Sequence, residues 1–259
     1  LNNILHTQNL LSNDRYNIVR IGDFATNANT KINYCLFSIA LCLEEYITNN
    51  STDCFMLLGY STLIWTFIEF FLHTSHTRII KPMVYYYNQN DHTIVPQYLG
   101  LFLQGFQEGG VITTIGLYFG DRIFSYNHMV GLHILISFIV LNVCNKTKSI
   151  TRNSVRQVNT TSSLIGMSSI TIYNINSFYH YPEHRHRQLY MFFVMMYVSY
   201  WWTFAAWYNG FRKVEVYIKD ENDHYVLKKS NIFDTALVLS YDVIIEIAMA
   251  YLSFYIFLI

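Results

Sequence analysis

The chain has 259 residues, of which 52% are hydrophobic, 17% aromatic and 13% charged, and its 17 Lys and Arg balance its 17 Asp and Glu. So much apolar matter excludes disorder, and the zero net charge argues against the basic surface that nucleic-acid binding needs. A soluble chain could hardly cover its surface with so few charges, so the composition points to an integral membrane protein.

Residues 1–31 are polar, with Arg15 and Arg20 balanced by Asp14 and Asp23, and read as an extramembrane arm. Residues 32–47 form a short apolar run that is free of charge until Glu44 and Glu45. Residues 54–73 are long enough for a membrane helix and carry one charge, Glu69. A polar, tyrosine-rich loop, 77–97, precedes a third run at 98–119, interrupted by Gln104, Gln107 and Glu108. Residues 124–145 make a fourth. The stretch 146–189 reads as a polar insertion, basic at its start and His-rich at its end. Residues 190–210 are a fifth span. Residues 213–230 alternate around Asp220-Glu221-Asn222-Asp223 and predict a small β-hairpin within an extramembrane segment, 211–233. Residues 234–259 make a last span containing Asp242 and Glu246.

The predicted fold is therefore all-α: a polytopic helical membrane bundle of about five core transmembrane helices within 32–210, one extra C-terminal helix, and a hairpin. Basic residues mark 77–97 and 146–156 as lying on one side of the membrane. The same alternation puts the 211–233 hairpin on the other. Cys35, Cys42, Cys54 and Cys144 form no CxxC pair and read as small apolar packing residues.

Histidines cluster near span ends: His73 and His76, His128 and His133, then His180, His184 and His186. Glu69, His73 and His76 fall on one helical stripe, a spacing able to ligate metal. The segments WTFIEFFLHTSH, FSYNHMVGLH and YHYPEHRH resemble the fatty-acid hydroxylase and sterol desaturase family, a resemblance that implies a di-metal lipid hydroxylase held by those seven histidines. That family expects adjacent His-His pairs, and this chain has none.

A second resemblance covers residues 33–210. LGLFLQGFQE (99–108), then Tyr118, Gly120 and GLHILISFIVLNVC (131–144), then His180, Phe193-Val194 and WYNG (207–210), resemble cytochrome c oxidase subunit III in order and near spacing. The family's Asp after Phe-Val is Met195 here, and its second His is Tyr181. The resemblance implies a non-catalytic subunit of the mitochondrial terminal oxidase in the mitochondrial inner membrane. Such a subunit holds no haem or copper, which belong to the catalytic subunit it packs against. Its partners are that subunit, other respiratory-complex subunits and phospholipid, with no nucleic acid. It binds phospholipid in a cleft and supports proton uptake and assembly.

Membrane-depth polar groups are functional candidates. These are Glu108, His133, Gln104, Glu45 and Glu44, with Glu108 and His133 expected at one depth and within reach of each other. Asp242 and Glu246 share a helix face and are expected to meet a partner chain. Trp201, Trp202, Trp207 and His180 are expected at the lipid or subunit interface.

Overall fold

The computed structural model describes residues 14–21, 26–75, 79–88, 91–144 and 152–259; His76 and the basic stretch 146–151 fall outside them. The chain is mostly helical. Strand β1 (Arg15–Ile21) leads into α1 (Ala28–Asn49), whose first turn is capped by the Asn27 carboxamide accepting from the Thr30 N–H at 3.0 Å. α1 ends where Asn50 turns left-handed, at φ 51°. α2 (Asp53–Thr74) starts three residues later, with Asp53 complementing its N-terminal dipole. Three short strands follow: β2 (Ile79–Ile80), β3 (Val84–Tyr86) and β4 (His92–Ile94). Pro96 then opens α3 (Gln97–Gly105), which runs through a π-helical turn (Phe106–Val111) into α4 (Ile112–Gly120).

After a tight turn come α5 (Tyr126–Cys144), β5 (Arg152–Gln157) and α6 (Thr161–His180), the last capped by Thr160. A 3-10 turn (Pro182–His184) leads into α7 (Arg185–Tyr208). The hairpin β6 (Arg212–Lys219) and β7 (Tyr225–Lys229) precedes α8 (Ile232–Tyr241), capped by Asn231. A second π-helical turn (Asp242–Met249), α9 (Ala250–Leu252) and a 3-10 end (Ser253–Leu258) complete this last rod. Among the described residues the helices thus make seven rods, counting α3–π–α4 and α8–π–α9 once each.

Four stretches, Asp53–Thr74, Tyr126–Val143, Pro182–Tyr208 and Ile232–Leu258, are long and apolar enough to cross a membrane. This is compatible with an integral membrane protein. α1, with 22 residues, and α6, with 20, are comparably long, about 30 Å at 1.5 Å per residue, but more polar.

Close approach, rather than bulk, joins α2 to the first π turn. A Cβ at Gly105 would lie 2.2 Å from Thr66 Oγ1, one at Gly110 2.2 Å from Thr62 Oγ1, and one at Gly109 2.6 Å from the Ser61 carbonyl. Small residues permit this contact, and Ser61 Oγ and Thr113 Oγ1 hydrogen-bond across it at 2.9 Å. The main core gathers Leu57, Ile115, Leu117, Met191, Met195 and Leu252 between the rods.

Strands from four separate places in the chain form one antiparallel sheet in the order β2-β5-β1-β6-β7. Its inner face carries Tyr16, Ile18, Val214 and Val216 against Val238 and Leu239 of α8. The sheet collects the start of α1, the segment after α2, the link from α5 to α6 and the link from α7 to α8 at one end of the bundle. This corrects the expected topology. The 77–97 and 211–233 segments share a side, because β2 pairs with β5, β5 with β1, and β1 with β6. The span count slipped by one at α6. This rod lies within the stretch read as a polar insertion, and its many Ser, Thr and Asn residues lower its hydropathy. The predicted hairpin is present as β6–β7, but as part of the five-stranded sheet.

Candidate functional site

The two π-helical turns carry the acids that meet this sheet: Glu108 on the first, Asp242 and Glu246 on the second. A π turn opens the helix by one residue and recurs at functional sites. Three adjacent strands each lend an arginine to these acids: Arg20 from β1, Arg156 from β5 and Arg212 from β6.

Arg20 Nη1 donates to Glu108 Oε1 at 2.8 Å. Gln104, one turn earlier, donates to the same oxygen, and Trp65 Nε1 donates to Oε2 at 3.3 Å. The carbonyl oxygens of Gln104 and Gln107 each accept from Lys31 Nζ at 2.6 Å. Lys31 is buried near the start of α1, and Glu69, wholly buried on α2, acts on its charge. A buried charge costs several kcal/mol unless paired, so this cluster has to be satisfied as a unit.

The second half is centred on Asp242. One of its oxygens accepts from Arg212 and the other from Arg156, which also lies 2.8 Å from Glu246. Ser163 Oγ donates to Glu246 at 3.2 Å. Arg212 is 1% exposed and donates to Thr203 Oγ1 at 3.2 Å. Burial pulls its guanidinium down to about 10, against the opposing pull of Asp242, so it stays protonated at neutral pH. Arg20 and Arg212 are directly paired across β1 and β6 and both face the Trp202 ring, with Cζ 5.9 and 5.4 Å from its centroid. Like charges sit side by side here because each turns to a different carboxylate.

Between these halves lies a chamber of about 360 Å³. Its charged wall is Arg20, Lys31, Glu108, Arg156, Asp242 and Glu246. Ile112, Ile115, Ile139, Val198 and Ile247 give it an apolar body, and Tyr34, Trp65, Trp202 and Tyr251 add aromatic faces. The volume is in the range that takes a small organic ligand.

The opposite end of the bundle is stitched by two arginines. Arg122, in the turn after α4, bonds Glu45 and lies 3.4 Å from Glu44, over the Tyr118 ring. Burial lowers the Arg122 guanidinium, but the Glu45 hydrogen bond and charge prevail and hold it above its ordinary value. Arg187 forks onto Asp121 at 2.7–2.8 Å and reaches Asp53 at 2.6 Å.

The expected site residues divide accordingly. Gln104 and Glu108 enter the sheet-side network. Glu44 and Glu45 belong to the opposite end, so they do not join Glu108. His133 is not the partner of Glu108: it lies on the outward face of α5, bonded to the Met129 carbonyl at 2.6 Å and to Tyr197 Oη at 3.2 Å. The inward positions of that helix are the apolar Leu132, Leu135, Ile136, Ile139 and Val143. Asp242 and Glu246 meet Arg156 and Arg212 of their own chain, where a partner chain was expected. Trp202 lines the chamber, Trp201 is exposed, and Trp207 packs under the sheet against Phe204. His180 is exposed at the end of α6, edge-on to Tyr179.

Among the described residues, the histidines expected as metal ligands at 128, 133, 180, 184 and 186 have separate partners; His76 lies outside the described residues. His73 follows Glu69 by one turn of α2. His128 bonds Ser125 at 2.7 Å, His184 bonds Tyr255 Oη at 3.1 Å, and His186 lies beside Tyr190. Among the described residues no three His, Cys, Asp or Glu side chains gather into a metal-binding group.

Sequence reasoning passed over Arg20, Lys31, Arg156 and Arg212. A signal for Arg20 existed: RYNIVRI alternates as a strand, which places Arg20 on the same face as Tyr16 and Ile18. No known protein family, curated protein or solved structure matches the chain.

Proposed function

We propose that this chain is a non-catalytic structural subunit of a membrane-embedded assembly, and that the assembly is the mitochondrial terminal oxidase of the inner membrane. The observation that carries the first part is how the buried charge is spent. Arg20, Arg156 and Arg212 of the sheet are satisfied by Glu108, Asp242 and Glu246 of the rods. Charge used this way fixes an extramembrane cap onto a bundle.

The oxidase setting rests on the resemblance to subunit III, whose pieces lie in chain order on α3–π–α4, on α5, at His180 closing α6, and on α7. The rest of α6 has no counterpart in that resemblance. Haem and copper then belong to the catalytic subunit packed alongside. Phospholipid acyl chains cover the outward faces of the rods, where Leu63, Phe67, Phe71, Ile134 and Phe138 are exposed.

Depletion of the chain tests the proposal. Assembled oxidase should fall while the haem of the remaining catalytic subunit keeps its spectrum. Unchanged oxidase levels would contradict it.

A further inference from the structure

We infer that the chamber under the sheet is a binding site for an uncharged, ring-bearing lipid of the quinone class. The inference is independent of the oxidase setting and rests on what the walls have left to offer.

Charge is the first criterion. Among the described residues, Arg20, Lys31, Arg156 and Arg212 are matched in number by Glu69, Glu108, Asp242 and Glu246 in and behind the wall. An anionic headgroup would bring an unbalanced charge into a low-dielectric space, at high cost. A phosphate also needs several donors at once, and Arg20 and Arg156 already donate to carboxylates. The occupant that fits is uncharged.

Hydrogen bonding is the second. Lys31 Nζ has three N–H groups, and two are taken by Gln104 and Gln107, so one remains at the chamber wall. Ser199, on α7, also lines the chamber. It is 3% exposed, and its hydroxyl has no hydrogen-bond partner, not even the carbonyl one turn back that a helical serine commonly uses. A buried hydroxyl without a partner costs about as much as a lost hydrogen bond, which a ligand acceptor would recover. The Lys31 ammonium can only donate and the Ser199 hydroxyl is able to, so a ligand that accepts would serve both. A quinone presents two carbonyl oxygens and no donor.

Shape is the third. Trp65, Trp202, Tyr34 and Tyr251 give flat faces for a ring. The isoleucines at 112, 115 and 139 suit the start of an apolar tail. Two acyl chains with a glycerol phosphate head would overfill about 360 Å³, whereas one ring with the first part of its tail would not.

The test uses the full chain in detergent micelles with Trp201→Phe and Trp207→Phe, so that indole emission reports Trp65 and Trp202. Decyl-ubiquinone is titrated in. Saturable quenching is expected, with a half-point raised about three- to tenfold by Ser199→Ala, and loss of saturation in Ile112→Phe, which narrows the chamber without adding an indole. Circular dichroism checks that each variant keeps its helices; if Ile112→Phe does not fold, Ser199→Ala decides alone. Quenching that rises linearly with partitioned quinone, or that ignores both variants, overturns the inference. So does a phospholipid that survives delipidation and blocks quenching, because the chamber would then hold that lipid.

Discussion

Asp242 is the residue on which most of the sheet-side charge converges. It is buried between Arg212 and Arg156, and each of its oxygens has a cationic donor. Asp242→Asn keeps the volume and removes the charge, leaving the buried Arg212 without its carboxylate and Arg156 with Glu246 alone. Breaking such a pair typically costs about 3–5 kcal/mol. The unfolding free energy of the chain in micelles should fall by that order, and an unchanged value would mean that water already reaches the site. The pair between Lys219 and Asp223 at the hairpin tip offers the contrast, since both side chains are solvated. Lys219→Ala should leave the same measurement unaltered. Glu108 was legible in the sequence as a group needing a partner, because a carboxylate in the middle of an apolar run has to be satisfied. Its partner was not legible. Arg20 lies 88 positions away, and only the pairing of β1 with β6 brings it over the bundle.

At the scale of elements, the six apolar runs read from the sequence all became helices, with ends displaced by a few residues. Hydropathy is a property of each run alone and survives without knowledge of the fold. The sheet could not be read in the same way. β1, β2 and β5 are short, lie far apart in the chain and depend on register with partners that the local sequence does not name. α6 escaped for a different reason: Ser162, Ser163, Ser168, Ser169 and Asn174 interrupt its apolar positions, although a helix satisfies its backbone regardless of its side chains. The π turns were likewise invisible, and the close approach of α2 at Gly105, Gly109 and Gly110 emerges from the fold. That contact is testable. Gly105→Ala drives a Cβ against Thr66 backbone atoms at 2.6 Å and should destabilise the chain by about 1–3 kcal/mol. Gly166→Ala in α6 meets open space and should be neutral or slightly stabilising. Equal effects at the two positions would contradict the tight contact of α2 with the first π turn.

For the whole molecule, the sheet sets the sidedness. The bases of β1, β5 and the hairpin, together with Lys31 and Lys81, lie at its end, while Arg122, Arg185 and Arg187 are the Lys or Arg residues at the other end among the described residues. By the positive-inside rule the sheet faces the compartment where the chain is inserted from, the matrix in the proposed setting. Cysteines introduced as Asp223→Cys and Glu183→Cys should therefore react with an impermeant maleimide from opposite sides of a sealed vesicle. The native Cys35, Cys42 and Cys54 are buried and should stay silent. Labelling of both positions from one side would break the seven-rod topology.

The proposed place of the chain inside a larger haem-bearing assembly can be read from isolation out of native membranes in mild detergent, with a tag on this chain. The tagged chain should migrate only within a large complex whose reduced-minus-oxidised spectrum shows haem. A chain that leaves the membrane alone and carries stoichiometric iron would contradict it.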